Sequence, residues 1–152
     1  MPKTVEMIVS LKVPDTTAIT ALQTLQKIGF IKITDVKRAD YYKFLIDGDI
    51  EKFKNKISKV DILVNINKHY FEFSLPKSEN SKVLVKNIND DGSSLLSTLR
   101  NRLGFKNIKK VEKGILWRLT ITANEKEAKK IAEKAAKELL VNENYQEYTI
   151  LQ

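Results

Sequence analysis

Apolar and polar residues alternate at the start of the chain, with Val5, Met7, Val9 and Leu11 on one side of a pleat, which predicts a half-buried β-strand. The period then lengthens. Ile19, Leu22, Leu25 and Ile28 fall on one helical stripe, Thr16 or Thr17 can cap its start, and Gly29 can take the left-handed conformation that ends it, with Phe30 folding back on the last turn. Residues 31–36 read as a second strand leading through a tight turn into a third that carries Tyr42, Phe44 and Ile46. Ile50, Phe53, Ile57 and Val60 mark a second helix, and His69 to Phe73 a last strand.

The same order returns in the second half. Val83-Leu84-Val85 is a short strand, and Ser93 or Ser94 can cap a helix whose stripe is Leu95, Leu96, Leu99 and Leu103 before Gly104-Phe105. Ile108 to Val111 reads as a strand, Gly114 marks a turn, and Ile115, Trp117, Leu119 and Ile121 alternate with Arg118, Thr120 and Thr122. Asn124 and Glu127 form a capping-box-like pair ahead of Ala128, Ile131, Ala132, Ala135 and Leu139, and Glu147 to Leu151 closes the chain.

Three anchors align the halves. The pair Gly29-Phe30 matches Gly104-Phe105 at an offset of 104 − 29 = 75 positions, and Val36 meets Val111 at the same offset. Leu63-Val64-Asn65 matches Leu140-Val141-Asn142 at 140 − 63 = 77. Their order and near-constant spacing point to a tandem duplication. Between the copies, Pro76-Lys77-Ser78-Glu79-Asn80-Ser81 is polar and broken by proline, so the expected organisation is repeat one over 1–75, a linker over 76–81 and repeat two over 82–152. The expected fold class is α+β: two βαββαβ two-layer sandwiches, helices on one sheet face, packed together as a pseudo-dimer. A unit this small buries a modest fraction of its surface, so its sister copy is the natural cover for it.

Composition narrows function mainly by exclusion. The 152 residues contain no cysteine, so disulfides and thiolate metal sites are out, and cytoplasm is the default compartment. No apolar run approaches the roughly 20 residues of a membrane span. A net charge of +8 raises nucleic acid as a partner, but the basic residues are dispersed and nearly all lysine, with only Arg38, Arg100, Arg102 and Arg118 offering a planar fork; a solvated surface is the expected role. His69 lies at the edge of an aromatic strand with no paired acid or nucleophile. Asp47, Asp49 and Glu51 sit where a strand turns into a helix, which suits capping, and Asp90-Asp91-Gly92-Ser93-Ser94 lacks the glycine spacing and lysine of a phosphate-binding loop. Trp117 alternates with apolar neighbours, as a core residue does. The chain is expected to have no catalytic residues and no cofactor of its own.

The anchors carry a family resemblance. The run Leu139-Leu140-Val141-Asn142-Glu143-Asn144-Tyr145-Gln146-Glu147-Tyr148-Thr149-Ile150 resembles the ending of PurS, the small subunit of phosphoribosylformylglycinamidine synthase. Glu6-Met7-Ile8-Val9-Ser10-Leu11-Lys12, the helix ending in Gly29-Phe30 and the strand with Val36 are similar to its opening. The resemblance implies a non-catalytic bridging role in purine biosynthesis, with a PurL-like large subunit that uses ATP and Mg and a PurQ-like glutaminase subunit as partners, and one tandem chain standing in for a pair of PurS chains. A homodimer is a further expected partner state. Candidate interface residues are Asp15 and Gly92, which stand in the loop where PurS carries a Leu-Asp-Pro-Gln-Gly stretch, and Asn65 and Asn142, which match a PurS asparagine. Two rivals are an ACT-like small-molecule regulatory module, built from similar paired units, and a basic ferredoxin-like nucleic-acid binder.

Overall fold

The structure is a computed structural model and describes residues 2–74 and 81–151. Among these residues it is an α+β fold with six strands: β1 (Lys3–Leu11), β2 (Ile33–Ile46), β3 (His69–Glu72), β4 (Ser81–Asn87), β5 (Ile108–Ile121) and β6 (Gln146–Leu151). Four helices accompany them: α1 (Thr16–Lys27), α2 (Ile50–Ile57), α3 (Ser93–Ser97) and α4 (Glu125–Ala135). The strands form one antiparallel sheet in the order β3-β1-β2-β5-β4-β6. Both helices of the second copy run on into wider π-type turns, Thr98–Arg102 after α3 and Ala136–Leu140 after α4.

Each copy contributes three strands where the hydrophobic pattern predicts four. The expected hairpin turns near residues 37–41 and at Gly114 do not form, and β2 and β5 each run unbroken for 14 residues. The physical reason differs between them. In β2, Arg38 interrupts the apolar alternation as a turn residue would, yet its guanidinium is satisfied in place by the Asp15 carboxylate. In β5, Gly114 lacks the positive φ of a turn glycine; a Cβ there would lie 2.6 Å from the Val85 carbonyl oxygen, so glycine serves close strand approach.

The chain forms two compact units that do not coincide with residues 1–75 and 82–152. Unit 1 comprises Met1–Lys12, Asp40–Pro76 and Asp90–Lys113; unit 2 comprises Val13–Ala39, Lys77–Asn89 and Gly114–Gln152. Each takes its strands mostly from one copy and its first helix from the other. Strands β2 and β5 pass from one unit to the other at residues 39–40 and 113–114. Of the linker expected at 76–81, residues 76–80 lie outside the described residues, and Ser81 already opens β4.

Unit 1 is built on aromatic packing. Val5, Met7 and Val9 of β1, Phe44 and Ile46 of β2, and Phe53 and Ile57 of α2 bury together with Leu99, Ile108 and Val111 from copy two. Phe53 meets Phe44 and Phe105 edge-on at 5.3 and 6.1 Å. Helix α2 begins where Asp49 accepts hydrogen bonds from the Glu51 and Lys52 backbone N–H groups, the capping role expected of that acidic cluster.

Unit 2 is built on small residues. Ala18, Ala21 and Leu25 of α1 pack with Ala132 and Ala135 of α4, the following Ala136 and Leu140, and Val83, Val85, Trp117 and Leu119 of the sheet. Asn124 caps α4 through the Glu127 N–H at 2.8 Å, as expected. Gly29 and Gly104 both have positive φ, +114° and +79°, where helices end in the two copies.

Candidate functional site

Asp15 is the N-cap of α1. Its Oδ1 accepts from the backbone N–H groups of Thr17 and Ala18, at 3.0 and 3.3 Å, so it, rather than Thr16 or Thr17, starts the helix. The same carboxylate takes a two-pronged ion pair from Arg38, Nε to Oδ2 at 2.9 Å and an Nη to Oδ1 at 3.2 Å. Arg38 in turn lies over the Trp117 ring, 5.9 Å from its centroid. Carboxylate, guanidinium and indole thus form a stack within unit 2.

Beside this stack lies a cavity of about 400 Å³, walled by Thr16, Thr17, Thr20 and Thr24 along one side of α1, by Trp117, and by Leu139 and Leu140. Its size falls in the range of small-molecule sites, and its lining of hydroxyls and an aromatic face suits binding. It brings no histidine, lysine or cysteine against the hydroxyls, and Asp15 is already engaged, so the arrangement offers contact rather than an activated nucleophile. Among the described residues no group of three His, Cys, Asp or Glu could hold a metal ion.

Gly92 lies in unit 1 and begins α3, where Ser93 or Ser94 is expected to. Its φ is +82°, and a Cβ would stand 2.0 Å from the Val111 carbonyl oxygen, so the loop admits glycine alone. Asp90 and Asp91 fix the loop by accepting from the N–H groups of Gly92 and Ser93, both at 3.0 Å, and Asp90 also pairs with Lys113 at 2.8 Å. The hydrogen bonds from Lys113 and Gly92 hold the Asp90 carboxyl below the usual carboxylate range, and those from Ser93 do the same for Asp91.

Asn65 and Asn142 occupy the same turn in their respective copies. Asn65 Oδ1 accepts from the Asn67 N–H, its carbonyl from the N–H groups of Lys68 and His69, and its own N–H donates to His69 Nδ1. Asn142 repeats the pattern with Asn144, Tyr145 and Gln146, whose Oε1 replaces the imidazole nitrogen. The turn accounts for both asparagines and gives His69 a structural role. The four candidate interface residues are therefore divided: Asp15 and Asn142 belong to unit 2, Asn65 and Gly92 to unit 1.

What the sequence pattern does not foresee is the pairing of Arg38 with Asp15 and the wall formed by Thr16, Thr17, Thr20 and Thr24. The spacing of Thr16, Thr20 and Thr24 by four was a visible sign of one helix face. Trp117 is 7 % exposed, as a core position requires, and also walls the cavity. No helix is long and apolar enough to cross a membrane among the described residues.

A comparison with curated proteins finds no match to the chain. Residues 81–152, which begin at β4, match the family model described as PurS: Phosphoribosylformylglycinamidine (FGAM) synthase.

Proposed function

We propose that this chain is a non-catalytic assembly subunit of a phosphoribosylformylglycinamidine synthase complex in purine biosynthesis, supplying two PurS-like copies on one polypeptide. The observation that carries this reading is the family match of residues 81–152. Two features support extending it to copy one: the shared Asn65 and Asn142 turn geometry, and compact units that each need segments of both copies. The partners are a large amidating subunit that uses ATP and Mg and a glutaminase subunit. Tethering the copies raises their effective concentration and removes one association step without a new contact.

The test is reconstitution with the glutaminase and large subunits in glutamine, followed by native mass spectrometry and an activity assay. The chain is expected once per complex, and glutamine-dependent activity is expected to fall when it is left out. Two tandem chains per complex, or full activity without the chain, would overturn the reading.

The cavity beside Thr16 and Trp117 favours a second reading, an ACT-like regulatory module, because it adjoins the loop after the first strand. A thermal-shift screen of amino acids and nucleotides decides this. A ligand at 100 times its Kd adds about 2.7 kcal/mol, and no shift with any of them removes the module reading.

A further inference from the structure

In unit 2, Val83, Val85, Trp117 and Leu119 face the helices, so alternation places Lys82, Leu84, Leu116 and Arg118 on the opposite face of the sheet. Lys82 of β4 stands directly across from Arg118 of β5. Like charges opposite one another on neighbouring strands are destabilising. Neither cation takes part in the ion pairs found among the described residues. Lys82 is 4 % exposed, and its row is flanked by Leu84 and Leu116, also buried. Arg118 Nε is buried without a hydrogen-bond partner and is the one such side-chain nitrogen or oxygen among the described residues.

Copy one resolves the equivalent position differently. There Glu6 stands across from Lys43, and Tyr41 donates its hydroxyl proton to Glu6 in a hydrogen bond. The duplicated site thus holds an acid and a base in one copy and two bases in the other.

We infer that Lys82 and Arg118 form a binding site for a phosphate group on the sheet face of unit 2. The two cations supply a point charge and a planar fork, the two donor types that recognise phosphate oxygens, and the apolar flank strengthens the attraction. Burial, and then the Arg118 charge, pulls the Lys82 ammonium below the ordinary lysine range, which is the cost a bound anion would relieve. The site is independent of the purine-synthesis reading, because it rests on residues of this chain alone.

The test is thermal unfolding of the full chain in inorganic phosphate against sodium chloride of equal ionic strength. Saturating phosphate, about 100-fold above Kd, should raise the midpoint by about 5–10 °C over chloride. Lys82→Glu, which restores the acid–base pairing of copy one, should abolish the phosphate-specific shift and melt no lower than wild type in chloride. Lys82→Met should also lose the shift, whereas Lys43→Met at the copy-one position should keep it. Equal midpoints in phosphate and chloride, a shift that survives Lys82→Glu, or one lost equally in Lys43→Met would overturn the site. Ribose 5-phosphate acting at lower concentration than inorganic phosphate identifies a phosphorylated metabolite as the source, and the reverse order identifies free phosphate. Acetate acting as well as either would overturn the phosphate assignment.

Discussion

Unit 1 and unit 2 solve the same packing problem with different residues. Unit 1 fills the space between helix and sheet with phenylalanines that meet edge-on, while unit 2 brings alanine-faced helices onto the sheet and concentrates its aromatic volume in Trp117. Aromatic rings occupy space that small side chains leave open, and the larger of the two described cavities, beside Trp117, belongs to the alanine-rich unit. The two interiors thus differ in kind: one is densely filled with aromatic rings, and the other leaves a wall of threonines and an indole open beside its alanine-faced helices.

The widest separation between the units should come from Phe44→Ala. Phe44 is fully buried and meets Phe53 edge-on, so its loss should cost about 3–5 kcal/mol, read as a lower denaturant midpoint. In unit 2 the corresponding insult is overfilling: Ala132→Leu should cost about 1–3 kcal/mol. Equal, small effects from both would dissolve the contrast.

The two helix starts sharpen it further. Gly92→Ala must push a Cβ into the Val111 carbonyl and hold a left-handed φ, so a loss of at least about 2 kcal/mol is expected in the same denaturation assay. Asp15→Ala removes a cap and frees Arg38 from its ion pair, and should cost about 1–2 kcal/mol. The order of these two losses is the informative readout.

Alkaline titration gives the smallest and most diagnostic difference. Burial, with a lesser contribution from Asp40, holds the Tyr42 proton in unit 1, so its hydroxyl titrates at about 12 rather than 10. Between those values the unfolded chain has lost a proton that the folded one keeps, and stability falls as pH rises. Lys82 in unit 2 acts in the opposite sense. Its folded value is depressed, so the penalty is complete below that value and relieved as pH climbs toward 10.5, where the unfolded side chain still holds its proton. Midpoints measured from pH 8 to 12 should fall less steeply above pH 10 in Tyr42→Phe, and lose a rise below pH 10.5 in Lys82→Met.

Much of this molecule was legible along the chain. The capping pair Asn124 and Glu127 and the helix-ending glycines Gly29 and Gly104 are local signals that appear in the structure. The expected α1 stripe holds only in part: Leu25 is buried, Ile19 and Ile28 are exposed, and Ala18 and Ala21 take the core face, where small side chains let α1 pack with the alanines of α4. Two starts slipped by one residue, to Asp15 and Gly92, because several polar residues in a row compete for the cap. The strand continuity of β2 was hidden by Arg38, a polar residue on the helix-facing side whose partner lies 23 positions away. An open strand and a closed hairpin share the same alternation, so the choice between them depends on contacts distant in sequence. The cavity was illegible for the same reason: its walls come from residues 16–24, 117 and 139–140, which only the exchange of helices brings together.

That exchange also dictates when the protein can fold. Trp117, Leu119 and the alanines of α4 that bury helix α1 are made about 90–120 residues after it. At synthesis rates of about 5–20 residues per second, the helix waits several seconds or longer for its core. During that interval the apolar side of α1 lacks the side chains that bury it in the folded chain. Neither compact unit can close early: the full core of unit 1 needs copy two as far as Val111, and that of unit 2 needs it as far as Val141.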